Sequence, residues 1–292
     1  MQELCFRLAK RRVLARRTGE AGENSATFDL NAYHEWRVAE LRQQFFAHFS
    51  PSELAGKDVL DFGCGSGTLS LLAAEAGACS VIGIDLNPAL IAQAREIAAN
   101  RQFTAQPQFL AAGNSRRIDL PDNSVDVILC FDVLEHILDY REIIAEWQRV
   151  LRVGGRVFIW WVPWLNPYGH HIESLVPLPW AHVVFSEQTL IATCARIYDL
   201  PEFTPRWWDL DESGNKKPNK WRYLDQLPDL NRLTIGEFET VCRRAGLSIE
   251  RREVVGFGGS RLARMTRLLT RLPTVNEFFC SRVIYRLQYR ER

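Results

Sequence analysis

The sequence has no apolar run long enough to cross a bilayer. Its longest uninterrupted one, Val157–Leu165, is nine residues and carries Pro163, whereas a spanning helix needs roughly 20. Neither sign of charge is in excess: 36 Lys and Arg against 35 Asp and Glu leave a net charge of +1, which exerts no global pull toward nucleic acid or acidic partners. There is no C-x-x-C pair. The seven cysteines are scattered from Cys5 to Cys280, which argues against a zinc or disulfide framework and reads as free thiols in a reducing compartment. A signal-peptide core is missing too, because Arg7 interrupts Leu4–Ala9, and cytoplasmic localisation is the expectation. What remains is an ordinary globular composition, 47% hydrophobic and 24% charged over 292 residues, enough for one large α/β domain with additions.

The most informative stretch is Val59 to Gly67. An apolar run ends in Asp61, Gly63, Gly65 and Gly67 follow at alternate positions, and a helical pattern begins at once. Glycine is required where a backbone turns sharply or must let a ligand approach without a Cβ in the way, and a helix start presents unpaired N–H groups. Val81 to Asp85 is a second apolar run ending in an acid, 22 residues after Gly63. That is where nucleotide-binding sheets place the carboxylate that holds ribose hydroxyls. From there strands and helices alternate. Strands are expected near 58–62, 80–84, 107–111, 125–131 and 155–162, and helices near 67–77, 88–100 and 139–151. Continuous apolar strands such as Val125–Phe131 imply a parallel sheet covered on both faces, with its ligand at the carboxyl ends of the strands.

The order of segments resembles the class I S-adenosylmethionine (SAM)-dependent methyltransferases, in particular their small-molecule branch. The glycine turn with Asp61 is followed by Asp85-Leu86-Asn87-Pro88, Asp119-Leu120-Pro121, Asp132-Val133-Leu134-Glu135-His136 and Leu151-Arg152-Val153-Gly154-Gly155. The resemblance covers Asp58 to Val162 well and the last sixty or so residues loosely. It implies a doubly wound, Rossmann-like, seven-stranded sheet with an antiparallel last strand. It also implies SAM as methyl donor, with S-adenosylhomocysteine as product. Carried over residue by residue, Asp61 faces the methionine amine, Gly63, Gly65 and Gly67 let the methionine and ribose portions approach, and Asp85 with Leu86 holds the ribose. Asn114 and Ser115 lie near the adenine, and Phe131 with Asp132 beside the methionine tail. Asp132 and Glu135 read equally as a helix-capping pair, and His136 as a packed helix-start histidine.

Outside the core, 1–50 is expected as an N-terminal helical cap whose Tyr33 touches the cofactor. Its basic first helix, read as a frayed terminus, could also meet a membrane or nucleic acid. The SAM-binding core is expected over 51–162 and the end of the sheet over 232–292, with a final strand from Glu277. Between them, 163–231 breaks the alternation, holds eight of the thirteen prolines, and is expected as an inserted substrate lid after the fifth strand. Trp160 and Trp161 would sit beside the methyl group. His170 and His171, in the insertion, are candidate general bases because imidazole titrates near neutrality. A zinc site built on His170, His171 and His182 has no familiar spacing, so no metal is expected. The expected partner is a small-molecule acceptor, with no nucleic acid; the basic helix near Arg261–Arg271 is a candidate for peripheral membrane contact. Two rival functions stay open. An RNA methyltransferase would bind RNA in a salt-dependent way, and a non-catalytic SAM-binding scaffold would bind SAM without turnover.

Overall fold

A computed structural model of the chain describes residues 1–16, 30–113, 116–206, 209–211, 213–227, 230–258, 260–273 and 275–291. These form two compact units. One comprises Met1–His34 with Trp164–Leu230, the other Glu35–Pro163 with Asn231–Arg292.

The larger unit is built on seven strands: β1 (Asp58–Phe62), β2 (Ser80–Asp85), β3 (Gln108–Ala111), β4 (Val125–Phe131), β5 (Leu151–Trp161), β6 (Leu247–Gly256) and β7 (Cys280–Tyr289). They lie in the order β3-β2-β1-β4-β5-β7-β6. β1 to β5 are parallel, and β7 runs antiparallel to both β5 and β6. The expected doubly wound sheet with its antiparallel last strand is therefore present. The strand order reverses at β1, flanked by β2 and β4, and such a switch point opens a crevice at the carboxyl ends of the strands. Register brings those ends level: Asp61 pairs with Gly83 and Phe62 with Ile84, while Asp85 pairs with Ala111.

Two hydrophobic layers sandwich the sheet. On one face Phe45 and Phe49 of α2 (Leu30–His48) and Leu69 and Leu72 of α3 (Thr68–Glu75) meet Phe131, Phe158 and Trp160. Phe49 stacks on Phe158 with centroids 4.6 Å apart, and Trp160 meets Phe131 edge-on at 4.3 Å. On the other face Trp147 of α5 (Tyr140–Val150) and Phe238 of α8 (Ile235–Arg244) pack with Trp161 and Tyr285. Trp160 and Trp161, being successive strand residues, point to opposite faces. Both are fully buried, so they build the core, and their expected place beside the methyl group is corrected. The helix α4 (Pro88–Ala99) opens with Asn87, whose side chain accepts the Ala89 N–H at 3.0 Å. The last strand starts at Cys280, three residues later than the sequence suggests, after a turn of 3₁₀ helix over Asn276–Phe279.

The smaller unit gathers α1 (Gln2–Arg16), α6 (Ala181–Val184) and α7 (Glu187–Tyr198). The N-terminal fifty residues, expected as one cap, are thus divided. Cys5 and Ala9 of α1 are fully buried in a core with Val176, Ile191, Cys194 and Trp221, while the second half of α2 packs on the sheet. The first helix is not a frayed terminus. Arg196 of α7 lies 3.5 Å over the Phe6 ring and bonds Glu3 at 3.0 Å. Trp221 is buried in this unit's own core. Trp207 and Trp208 lie outside the described residues. Among the described residues no helix is long and apolar enough to cross a membrane.

Candidate active site

The glycine turn hangs from β2. The N–H groups of Gly63 and Cys64 both donate to the Ile84 carbonyl, at 2.9 and 3.0 Å. Gly63, Gly65 and Gly67 have φ of 74°, 52° and 84°, a left-handed region that costs an L-residue roughly 1–2 kcal/mol. Two of these glycines do different work. At Gly67, which opens α3, a Cβ would lie 2.7 Å from the Phe109 ring, so packing demands glycine. At Gly65 a Cβ would meet nothing within 4 Å: open space lies over the backbone, as a ligand cradle requires. Cys64, between Gly63 and Gly65, is buried, and burial pushes its thiol well above the ordinary range, which leaves it a small packing residue.

Asp85 is locked to this turn. Its Oδ2 accepts the Gly65 N–H at 2.9 Å and its Oδ1 accepts the Asn87 N–H at 2.8 Å. Two backbone donors fix the plane of the carboxylate and leave the remaining lone pairs for a ligand's hydroxyls. Beside it lies a partly open cleft of about 200 Å³. Every strand end at the switch point contributes to its wall. Phe62 and Gly63 come from β1, Ile84, Asp85 and Leu86 from β2, Ala112 from beyond β3, and Val133, His136 and Ile137 from beyond β4, with Arg117 at one side.

The expected site residues are brought together in part. Gly63, Asp85 and Leu86 line the cleft, and Gly65 is bonded to Asp85. Asp61 stands behind the turn, 1% exposed, its Oδ2 accepting the Ser70 hydroxyl at 2.6 Å. Burial, opposed by the Ser70 bonds and helped by the charge of Asp85, raises its carboxyl to about 6. The Phe131 ring is in the core. Asp132 follows it with φ 53°, an uncommon conformation for a non-glycine residue and one that concentrates at functional sites. Asn114 and Ser115 lie outside the described residues, as does the side chain of Tyr33 on α2.

The capping reading of Asp132 and Glu135 is corrected. A short 3₁₀ turn covers Leu134–His136 without a side-chain cap, and α5 begins only at Tyr140. Glu135 is instead a buried acid, 5% exposed. Burial and then the charge of Asp132 raise its carboxyl to about 8, against the opposing pull of its own N–H and that of Val162. Its Oε2 has no hydrogen-bond partner. The same turn is clipped by Asn231. The Asn231 Nδ2 donates to the carbonyls of Leu134 (2.6 Å) and Ile137 (3.0 Å), and its N–H donates to that of Glu135 (3.0 Å). Neither role is visible as periodicity. The clip joins residues nearly a hundred positions apart, and its only local signal is a polar residue where the insertion ends.

The histidines separate. His170 and His171 belong to the smaller unit, and the cleft-lining residues all belong to the larger one. His170 is fully buried: its Nδ1 accepts the Ile172 N–H at 3.1 Å, and its Nε2 donates to the Leu178 carbonyl at 3.2 Å. Burial lowers it to about 3. With both nitrogens engaged, it is arranged as a structural histidine. His171 is partly exposed at φ 52°. His136, expected to be packed, is exposed on the cleft. Among the described residues no cluster of His, Cys, Asp and Glu could hold a metal ion.

A glycine turn after β1, an acid closing β2 and a switch-point cleft beside them lie on a seven-stranded sheet with a reversed β7. This is the architecture of the class I SAM-dependent methyltransferases. Residues 60–159 match the family model described as a methyltransferase domain. A probable SAM-dependent methyltransferase of Mycolicibacterium smegmatis is 38% identical over 121 residues, 41% of this chain and 42% of that protein. A ubiquinone biosynthesis O-methyltransferase of Methylococcus capsulatus is 36% identical over 122 residues, 41% of this chain and 49% of that protein. The chain thus spans less than half the length of these relatives. The crystal structure of a SAM-dependent methyltransferase from Mesorhizobium loti shares the fold, with a TM-score of 0.52 at 18% identity over 84% of this chain and 96% of that one. The site residues fit the family's cofactor: the space over Gly65 admits a ligand, and Asp85 presents an oriented carboxylate to a ribose.

Proposed function

We propose that this protein transfers a methyl group from SAM to the oxygen of a small, largely apolar or aromatic molecule. The observation that carries this reading is the Asp85 carboxylate, held by Gly65 and Asn87 on the rim of the cleft. SAM, when bound, supplies a methyl carbon already activated by its sulfonium. The protein then has to bind, orient and exclude water. Asp85 accepts the ribose hydroxyls, Gly63 and Gly65 let the cofactor close on the backbone, and Val133 and Ile137 give the cleft an apolar wall. The acceptor's proton passes to an imidazole, His136 on the cleft or His171 in the insertion. Oxygen as the accepting atom is supported by the relatives named as ubiquinone biosynthesis O-methyltransferases.

Native mass spectrometry of the purified protein, followed by SAM titration and a screen of hydroxylated aromatic and lipid-like acceptors, tests the proposal. The expected result is micromolar SAM binding and S-adenosylhomocysteine formation with a phenolic acceptor. Failure to bind either SAM or S-adenosylhomocysteine overturns it. Salt-dependent methylation of RNA instead moves the acceptor to nucleic acid.

A further inference from the structure

The connection between β6 and β7 carries a helix, α9 (Ser260–Leu269), whose faces are reversed relative to a core-packed helix. The side turned inward is polar and small. Thr266 and Thr270 are 7% and 6% exposed, and the Thr266 hydroxyl bonds the carbonyls of Phe257 and Leu262 at 3.2 and 3.1 Å. The large apolar residues face out: Leu262, Met265, Leu268 and Leu272 are 46%, 72%, 67% and 50% exposed. Leu262, Met265 and Leu268 recur every three residues along the helix, and Leu272 follows in the turn just beyond its end. Arg261, Arg264, Arg267 and Arg271 are exposed beside it. There is no acid from Val254 to Asn276, although the whole chain is nearly neutral.

We propose that α9 docks this protein on an anionic lipid surface, its leucines and methionine sunk among the acyl chains and its arginines among the headgroup phosphates. Either half of the pattern alone would be commonplace. An exposed apolar stripe marks an interaction surface, and the basic flank decides what kind. A second copy of the chain, meeting α9 across a two-fold axis, would set arginine against arginine. A nucleic acid would use the arginines and leave the stripe in water. An anionic bilayer uses both, as interfacial amphipathic helices do. The docking is independent of the methyl-transfer reading and goes beyond it.

The test is co-sedimentation of the full chain with vesicles of phosphatidylcholine and phosphatidylglycerol, and with vesicles of phosphatidylcholine alone. Binding is expected only to the first and should weaken with added salt. Arg267→Gln should weaken it about fivefold, the contribution of one basic residue near an anionic surface. The double variant Met265→Ser/Leu268→Ser should weaken it about tenfold or more, because several buried methylenes are lost. These positions are exposed, so thermal unfolding should be unchanged. Absence of anionic-vesicle binding, equal binding to both vesicle types, or binding untouched by the double variant overturns the proposal. So does a concentration-dependent dimer that the double variant abolishes while the parent ignores vesicles.

Discussion

Asp85 Oδ2 and the main-chain nitrogen of Gly65 are 2.9 Å apart, so the acid that closes β2 and the glycine turn that follows β1 behave as one rigid element. Asp85→Ala removes both the ligand carboxylate and the brace on the turn. The loss of a charge-assisted hydrogen-bonding partner should cost on the order of 1.5–3 kcal/mol, about ten- to a hundredfold in SAM affinity. Asp85→Asn keeps an oxygen for one backbone donor and should fall between the two. Isothermal calorimetry with S-adenosylhomocysteine measures both. Unchanged affinity in a folded Asp85→Ala protein would take Asp85 out of the site.

Asp61 should make stability depend on pH in an identifiable window. Its carboxyl is raised from 3.8 to about 6 in the folded state, so the folded protein holds this proton more tightly than the unfolded chain. The group's contribution is full below about pH 4, declines as pH rises to about 6, and stays reduced above. The difference is on the order of 3 kcal/mol. Asp61→Asn cannot ionise but still accepts the Ser70 hydroxyl, and should flatten the thermal-stability profile between those limits. A profile identical to the parent's would mean that the carboxyl is not protonated when buried.

What the sequence makes legible here is local. Asp61, the three glycines and Asp85 lie within one βαβ unit, and their chemistry is written in apolar runs, turn residues and a fixed spacing. Periodicity does not report which way an amphipathic helix faces: Leu262, Met265, Leu268 and Leu272 recur as a core stripe would, yet they are exposed. Nor does it report pairings distant in the chain. The packing of Cys5 and Ala9 against α7 and the Asn231 clip on Leu134 and Ile137 both join segments about a hundred or more residues apart. The segment after β4 is recognisable as a site, but the sequence directs the functional reading to Phe131 and Asp132, whereas Val133, His136 and Ile137 are the residues that reach the cleft.

Asn231 should matter to a cofactor it does not line. Asn231→Ala frees the carbonyls of Leu134 and Ile137, and unsatisfied buried groups cost about 1–3 kcal/mol each. Part of that loss should appear as weaker S-adenosylhomocysteine binding, because His136 and Ile137 of the released turn face the cleft. Glu135, raised to about 8, is neutral at pH 7. Glu135→Gln cannot ionise, so it should gain on the parent progressively as pH rises from about 4.5, where the unfolded chain's carboxyl gives up its proton, to about 8, and hold a constant margin above that. Paired denaturant and binding titrations of the two variants test this; full cofactor affinity in Asn231→Ala would show that the clip holds the fold alone.

The three histidines should separate by readout. His170→Gln ought to lower stability, by about 1–3 kcal/mol, since the Ile172 N–H and the Leu178 carbonyl lose a buried partner. Whatever protein folds should keep the pH profile of single-turnover methyl transfer, because an imidazole held neutral down to about 3 does not change charge in the working range. A general base behaves in the opposite way. Its removal slows chemistry about 10²–10⁴-fold, leaves SAM affinity and stability nearly intact, and erases the rise of rate with pH near neutrality, where an unperturbed imidazole loses its proton. His136→Gln and His171→Gln are the variants to compare. If one shows that signature, it is the proton acceptor. If neither does while both bind SAM, the acceptor's hydroxyl loses its proton to solvent, and the site works by orientation and exclusion of water.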